Sequence, residues 1–206
     1  MNHGLGIPDS EFIRGNIPMT KQEIRILTLA KAKIATSNTV IDIGAGTGSL
    51  SIEAGLLANQ GRVIAIEREP EGFQLIKANA DKFNAVNVEA VLGAAPEALE
   101  GLPEADVILI GGSGGKLPDI LTCADRLLKV GGRLIVTAVT VETLSTTLNI
   151  MRQWPNYSVE ACCVQVTRIQ QVGDSNMFKA LNPIYIIACN KEGKAVEENN
   201  SLEEGR

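Results

Sequence analysis

Histidine and aromatic residues are scarce in this sequence. The only histidine is His3, and Phe, Trp and Tyr together make up 3% of the chain. The four cysteines are Cys123, Cys162, Cys163 and Cys189, and no two stand in a C-x-x-C pair. A structural zinc centre draws on clustered thiolates and imidazoles, so no metal site is expected, and neither is a Cys/His nucleophile. The cysteines read instead as small apolar core residues in a reducing compartment. So few aromatics leave little material for base-stacking platforms. Basic residues are the minority charge, 19 Lys+Arg against 24 Asp+Glu for a formal net charge of −5. That balance argues against nucleic acid as a general partner. An apolar run of ~20 residues is missing, as is a basic segment followed by an apolar one at the start. The expectation is a soluble, cytoplasmic protein with no membrane partner. A phosphate-cradling Walker loop is excluded too, because no glycine-rich turn ends in Gly-Lys-Ser/Thr.

What is present centres on Val40-Ile41-Asp42-Ile43-Gly44-Ala45-Gly46-Thr47-Gly48-Ser49. A short apolar run, read as a buried parallel strand, ends in three glycines at alternate positions, and a helix-compatible segment follows at once. Glycine suits a turn that needs positive φ and close approach to a ligand. In an open α/β sheet, the crevice at such a strand end is where ligands bind. The dinucleotide fingerprint G-x-G-x-x-G is not met, since Ser49 holds the place of its third glycine. A second apolar run, 62–66, ends in Glu67. An acid about 20 positions after the first glycine, closing the second strand, suits hydrogen bonds to ribose hydroxyls.

Along the chain, strands are expected at 39–43, 62–67, 86–92, 105–110 and 133–138. Helices are expected at 21–32, 49–58, 70–83, 117–128 and 141–154. Thr20 and Glu23 read as a capping box with Thr20 as N-cap; the same hydroxyl also reads as a border of the ligand site. Residues 158–168 form a longer strand pattern, 182–189 another strand, and 169–181 a loop or hairpin connection between them. The fold class is therefore α/β: a Rossmann-like, doubly wound sheet of seven strands with an antiparallel C-terminal hairpin. One domain, 1–190, is expected, followed by a charged and disordered tail, 191–206, carrying Glu197, Glu198, Glu203 and Glu204.

Asp42-x-Gly44-x-Gly46-x-Gly48 resembles motif I of the class I S-adenosylmethionine-dependent methyltransferases. Further strings narrow the resemblance: Gly6-Ile7-Pro8-Asp9-Ser10-Glu11-Phe12, Pro18-Met19-Thr20-Lys21-Gln22-Glu23-Ile24-Arg25, Ile66-Glu67-Arg68-Glu69-Pro70-Glu71-Gly72, Ala95-Pro96-Glu97-Ala98-Leu99, Gly111-Gly112-Ser113-Gly114-Gly115 and Ala180-Leu181-Asn182-Pro183. Lys129-Val130-Gly131-Gly132 resembles the turn before strand five of such enzymes. Over roughly residues 6–188 the chain is similar to the stand-alone cobalt-precorrin C15-methyltransferases (decarboxylating) of cobalamin biosynthesis. The resemblance implies methylation of C15 of a tetrapyrrole, cobalt-precorrin-6B, with loss of carbon dioxide from the ring C acetate. It implies S-adenosylmethionine as cofactor, S-adenosylhomocysteine as product, and a homotetramer. Its cofactor positions carry over to Thr20, Gly44, Ala45, Gly46, Thr47, Gly48, Glu67 and Ala95. One position departs from the wider class: Ala94 stands where an acid often receives the adenine amino group.

A sulfonium-bound methyl is already activated, so such an enzyme mainly aligns a carbon nucleophile within ~3 Å and excludes water. No catalytic acid or base is assigned. Gly112, Ser113 and Gly114, after the fourth strand, are the candidate substrate contacts. Arg14, Lys21, Arg25, Lys116 and Arg168 are candidate partners for substrate carboxylates, each with an alternative as a plain surface charge. Asn182-Pro183 reads as a turn. The competing readings are another small-molecule or RNA methyltransferase and, from a different class, a dinucleotide-binding oxidoreductase or a non-catalytic nucleotide-binding module.

Overall fold

The computed structural model describes residues 5–193. Most of the expected tail, 194–206, lies outside the described residues.

Five parallel strands form first: β1 (Thr39–Ile43), β2 (Arg62–Glu67), β3 (Val88–Leu92), β4 (Ala105–Ile110) and β5 (Leu128–Ala138). Helices α1 (Gln22–Ala32), α2 (Ser49–Leu57), α3 (Pro70–Phe83), α4 (Leu117–Leu127) and α5 (Val141–Met151) separate or precede them. The chain then makes β6 (Tyr157–Val164), a two-stranded ribbon of β7 (Thr167–Val172) and β8 (Ser175–Ala180), and β9 (Ile184–Lys191). The main sheet has the order β3-β2-β1-β4-β5-β9-β6, and β9 runs antiparallel to both neighbours. This is the expected doubly wound, seven-stranded architecture.

The central strands β1, β2 and β4 are almost wholly apolar because both their faces are covered. In β1 and β4, Ile41, Ile43, Ile108 and Ile110 enter one core with Ile120, Leu121 and Met151. Val40, Val107 and Leu109 point the other way, to Leu29, Leu50 and Ala54. The segment before α1 is docked rather than loose. Ile7 and Phe12 are buried, and the Gly6 and Ile7 amides donate to the Glu53 carboxylate of α2. The Asn79 side chain both accepts from the Ile13 amide and donates to the Ile13 carbonyl.

Four expectations are corrected. Thr20 is not a cap: α1 is capped by extended Lys21, with no side-chain cap hydrogen bond. The Thr20 carbonyl is instead an acceptor for Arg25 Nη1, and Arg25 is fully buried between Asp9 and Glu53. The long strand over 158–168 is interrupted after Val164; β6 stays on the sheet, whereas β7 leaves to pair with β8 around Gly173, whose φ is +59°. Lys129 to Gly132 are not a turn ahead of β5 but part of it, with Gly131 at φ +81° and a register shift against β4. Cys163 is exposed, not core, because it faces outward on edge strand β6; Cys189 is buried. Among the described residues no helix is long and apolar enough to cross a membrane.

Candidate active site

Strand order turns back between β1 and β4, so the chain leaves their carboxyl ends in opposite directions and opens a crevice. A cleft of about 510 Å³ lies there. Its floor is the turn after β1. Gly44, Gly46 and Gly48 all have positive φ, between +58° and +76°. The amides of Gly44 and Ala45 both donate to the Ile66 carbonyl, tying the turn to β2. A Cβ on Gly44 would stand 2.6–2.8 Å from the Gly112 backbone, and one on Gly46 would meet the Pro18 carbonyl oxygen at 2.9 Å. These glycines are required by close packing with the loop after β4 on one side and the strap before α1 on the other.

Glu67 closes β2 and is nearly buried. Its Oε2 accepts from the Gly46 amide at 2.8 Å and its Oε1 from the Glu69 amide at 2.9 Å. Each carboxylate oxygen has a second lone pair, so a ligand diol can still be received. Beneath the turn sits Asp42, fully buried, accepting from Ser51 Oγ of α2. Burial raises its carboxyl to about 6; the Ser51 hydrogen bond opposes the rise and the negative charge of Glu67 adds to it. The sequence quoted Asp42 only as part of a motif. An acid inside an apolar strand is the signal that could have singled it out.

The sequence-derived positions divide into two sets. Thr20, Gly44, Ala45, Gly46, Glu67 and Ala95 line the cleft, and so do Gly112, Ser113 and Gly114. Thr47 and Gly48 are not among its lining residues. Thr47 is buried with its Oγ1 unpartnered, and its carbonyl accepts from Asn79 Nδ2. Gly48 caps α2, and its α-carbon packs so closely on Ile76 that a Cβ would stand 2.9 Å from that side chain. Both brace the turn from behind. Ala94 lines the cleft with no acid to offer.

Of the five candidate cations, Lys21 and Lys116 line the cleft, and Lys116 Nζ pairs with Glu97 at 2.6 Å. Arg14 is exposed and is not among the lining residues. Arg25 is buried in its ion-pair network. Arg168, on β7, pairs with Glu23 and Asp9. Arg68 lines the cleft as well and was missed. Among the described residues no group of three or more His, Cys, Asp or Glu is placed to hold a metal. The arrangement offers acceptors for a diol at Glu67, a side-chain-free floor, and a glycine-rich wall along which a flat group can slide.

A family model described as a precorrin methyltransferase domain matches residues 11–191. The chain is 41% identical over 185 residues to the probable cobalt-precorrin-6B C(15)-methyltransferase (decarboxylating) of Sulfurisphaera tokodaii, covering 88% of this chain and 95% of that one. It is 37% identical over 191 residues to the cobalt-precorrin-6B C(15)-methyltransferase (decarboxylating) of Salmonella typhimurium, covering 92% and 98%. The crystal structure of the precorrin-6y C5,15-methyltransferase from Geobacter metallireducens superposes with a TM-score of 0.86 at 41% identity, over 91% of this chain and 97% of that one. The chain belongs to the precorrin methyltransferase family.

Proposed function

We propose that this chain methylates C15 of cobalt-precorrin-6B with S-adenosylmethionine as donor and releases the ring C acetate carboxyl as carbon dioxide, a step in cobalamin biosynthesis. The observation that carries the reading is the cleft: a glycine turn and Glu67 at one end, the glycine-rich loop of residues 111–115 at the other. Near-full-length similarity to enzymes named for this reaction supports it. The residues fit the cofactor. Glu67 retains acceptors for the ribose hydroxyls, Gly44 and Gly46 present bare backbone to the cleft, and Ala94 and Ala95 border the adenine through backbone groups. Thr20, Ala45 and the braced Thr47 and Gly48 complete this half. The sulfonium supplies an activated methyl group when the cofactor is bound. Gly112, Ser113 and Gly114 admit the macrocycle and hold C15 in line with that methyl. When the acetate loses carbon dioxide, the bonding electrons pass into the conjugated ring and a proton takes the vacated position.

The enzyme works in the cytoplasm as a homotetramer joined through the β7–β8 ribbon. Ile169, Val172, Met177 and Phe178 on that ribbon are 53–82% exposed, an apolar surface that a monomer rarely leaves in water.

Mass spectrometry of cobalt-precorrin-6B incubated with methyl-labelled S-adenosylmethionine tests the function. The expected product has gained the labelled methyl and lost carbon dioxide. Methyl gain alone would place decarboxylation in another protein. No change, with S-adenosylhomocysteine still binding, would remove the tetrapyrrole assignment.

A further inference from the structure

We propose that Arg68 is the specificity-determining residue that receives a substrate carboxylate, reaching across Gly114 at the mouth of the cleft. This rests on the polycarboxylate tetrapyrrole assigned above.

Among the described residues, three cations line the cleft: Lys21, Arg68 and Lys116. They are not equivalent. Lys116 Nζ pairs with Glu97 at 2.6 Å, between exposed side chains, and Lys21 has no ion pair among the described residues; both are single-point ammonium groups, whereas Arg68 carries a planar fork. Arg68 follows Glu67 directly at the end of β2, and its only ion pair among the described residues is through Nε, 3.1 Å from Glu69 Oε1. Neither terminal guanidinium nitrogen has a hydrogen-bond partner among the described residues. Both members of the Arg68–Glu69 pair are more than half exposed. Pairs of that kind contribute about 0–1 kcal/mol, so Glu69 holds the nitrogen against a better acceptor only weakly.

Position adds to availability. Arg68 Nη1 lies 2.7 Å, and Cζ 3.7 Å, from the point a Cβ of Gly114 would occupy. The guanidinium therefore rests on the glycine loop where a side chain would otherwise be. On the same loop, Gly112 packs against Gly44. The loop thus runs from the floor of the cleft to Arg68, with Ser113 as the one side chain between. A flat ring lying along it brings its rim to the guanidinium. A planar fork with two parallel donors matches a carboxylate better than an ammonium does. Glu67, one residue earlier, accepts from the Gly46 and Glu69 amides and makes no ion pair with Arg68.

The experiment compares the full-length wild type with Arg68→Ala, Arg68→Lys and, as a control outside the cleft, Arg14→Ala. Turnover of cobalt-precorrin-6B and calorimetric binding of S-adenosylhomocysteine are both measured. Loss of one charge-assisted pair is expected to raise the KM for the tetrapyrrole about tenfold in Arg68→Ala. Arg68→Lys recovers only part of this, while kcat and S-adenosylhomocysteine affinity stay within about twofold and Arg14→Ala behaves as wild type. An unchanged tetrapyrrole KM in Arg68→Ala overturns the proposal. So does an equal loss of S-adenosylhomocysteine affinity, which would make Arg68 a cofactor or folding residue. If the wild type fails to turn over cobalt-precorrin-6B, the functional reading falls separately, and binding of uroporphyrin, a polycarboxylate tetrapyrrole, decides the role of Arg68. Weaker binding by Arg68→Ala than by wild type upholds it; equal behaviour, including no binding by either, overturns it.

Discussion

Asp42 shows how one side chain links the floor of the cleft to stability. It lies within β1 and faces α2, where Ser51 gives it its hydrogen bond. Its carboxyl titrates near 6 when folded against a reference of 3.8. Because the folded value is raised, the neutral form favours folding. The contribution is complete below about pH 4 and is lost as pH climbs through 6. The shift corresponds to about 3 kcal/mol at full ionisation. Asp42→Asn keeps an acceptor for Ser51 but cannot ionise. Its stability relative to wild type is expected to rise between about pH 4 and pH 6, then level off. Urea unfolding at about pH 4.5 and about pH 7.5 measures this; a difference that does not change with pH would show that Asp42 titrates normally. At the same scale, Thr20 and Arg25 explain a misreading. A Thr-x-x-Glu spacing advertises a capping box, but a buried arginine five residues on captures the Thr20 carbonyl. The folded positions of Asp9 and Glu53, on either side of it along the chain, make that burial tolerable.

The strand–turn–helix unit from β1 through α2 is the element on which the proposed cofactor site rests. Its glycines were legible because alternate glycines after a buried apolar run have few other uses. What they pack against was not legible: Pro18 over Gly46 and Gly112 over Gly44 are contacts between distant segments. Gly46→Arg places a side chain at φ +58° and toward the Pro18 carbonyl. The left-handed backbone costs about 1–2 kcal/mol and the strap carrying Pro18 must also shift, against a typical stability of roughly 5–15 kcal/mol. The variant is expected to fold yet show no calorimetric binding of S-adenosylhomocysteine. Unaltered affinity with an intact melting transition would remove the glycine turn from the site. β2, β4 and α3 begin and end where the sequence implied, since turn residues or a helix-starting proline bracket each apolar pattern. β3 starts two residues late, at Val88, because Asn87 instead donates to the Gly55 and Ala58 carbonyls.

At the scale of the whole molecule, the β7–β8 ribbon is the feature the domain does not use. Every residue in it is exposed, and Phe178 is 82% exposed. Its base is nonetheless anchored: Arg168 pairs with Glu23 of α1 and with Asp9. If the ribbon joins subunits, Phe178→Glu is expected to lower the solution mass measured by light scattering. Stability of the separated chain should change by no more than about 0.5 kcal/mol. A mass equal to that of wild type would move the interface off the ribbon.

The sequence by itself determined the alternation of strands and helices, the glycine turn, the acid that closes β2, and the family whose strings it carries. Each is a local pattern, set by burial on both faces of a strand, by turn chemistry or by a short motif. Tertiary structure decided which charges face the cleft. Arg25 and Arg168 are drawn into ion pairs with Asp9, Glu23 and Glu53, while Arg68 comes to rest on Gly114. It also decided that Thr47 and Gly48 brace the turn instead of lining the cleft, and that β7 leaves the sheet. Those outcomes depend on which distant groups compete for the same partner, and that competition exists only once the sheet has brought them together.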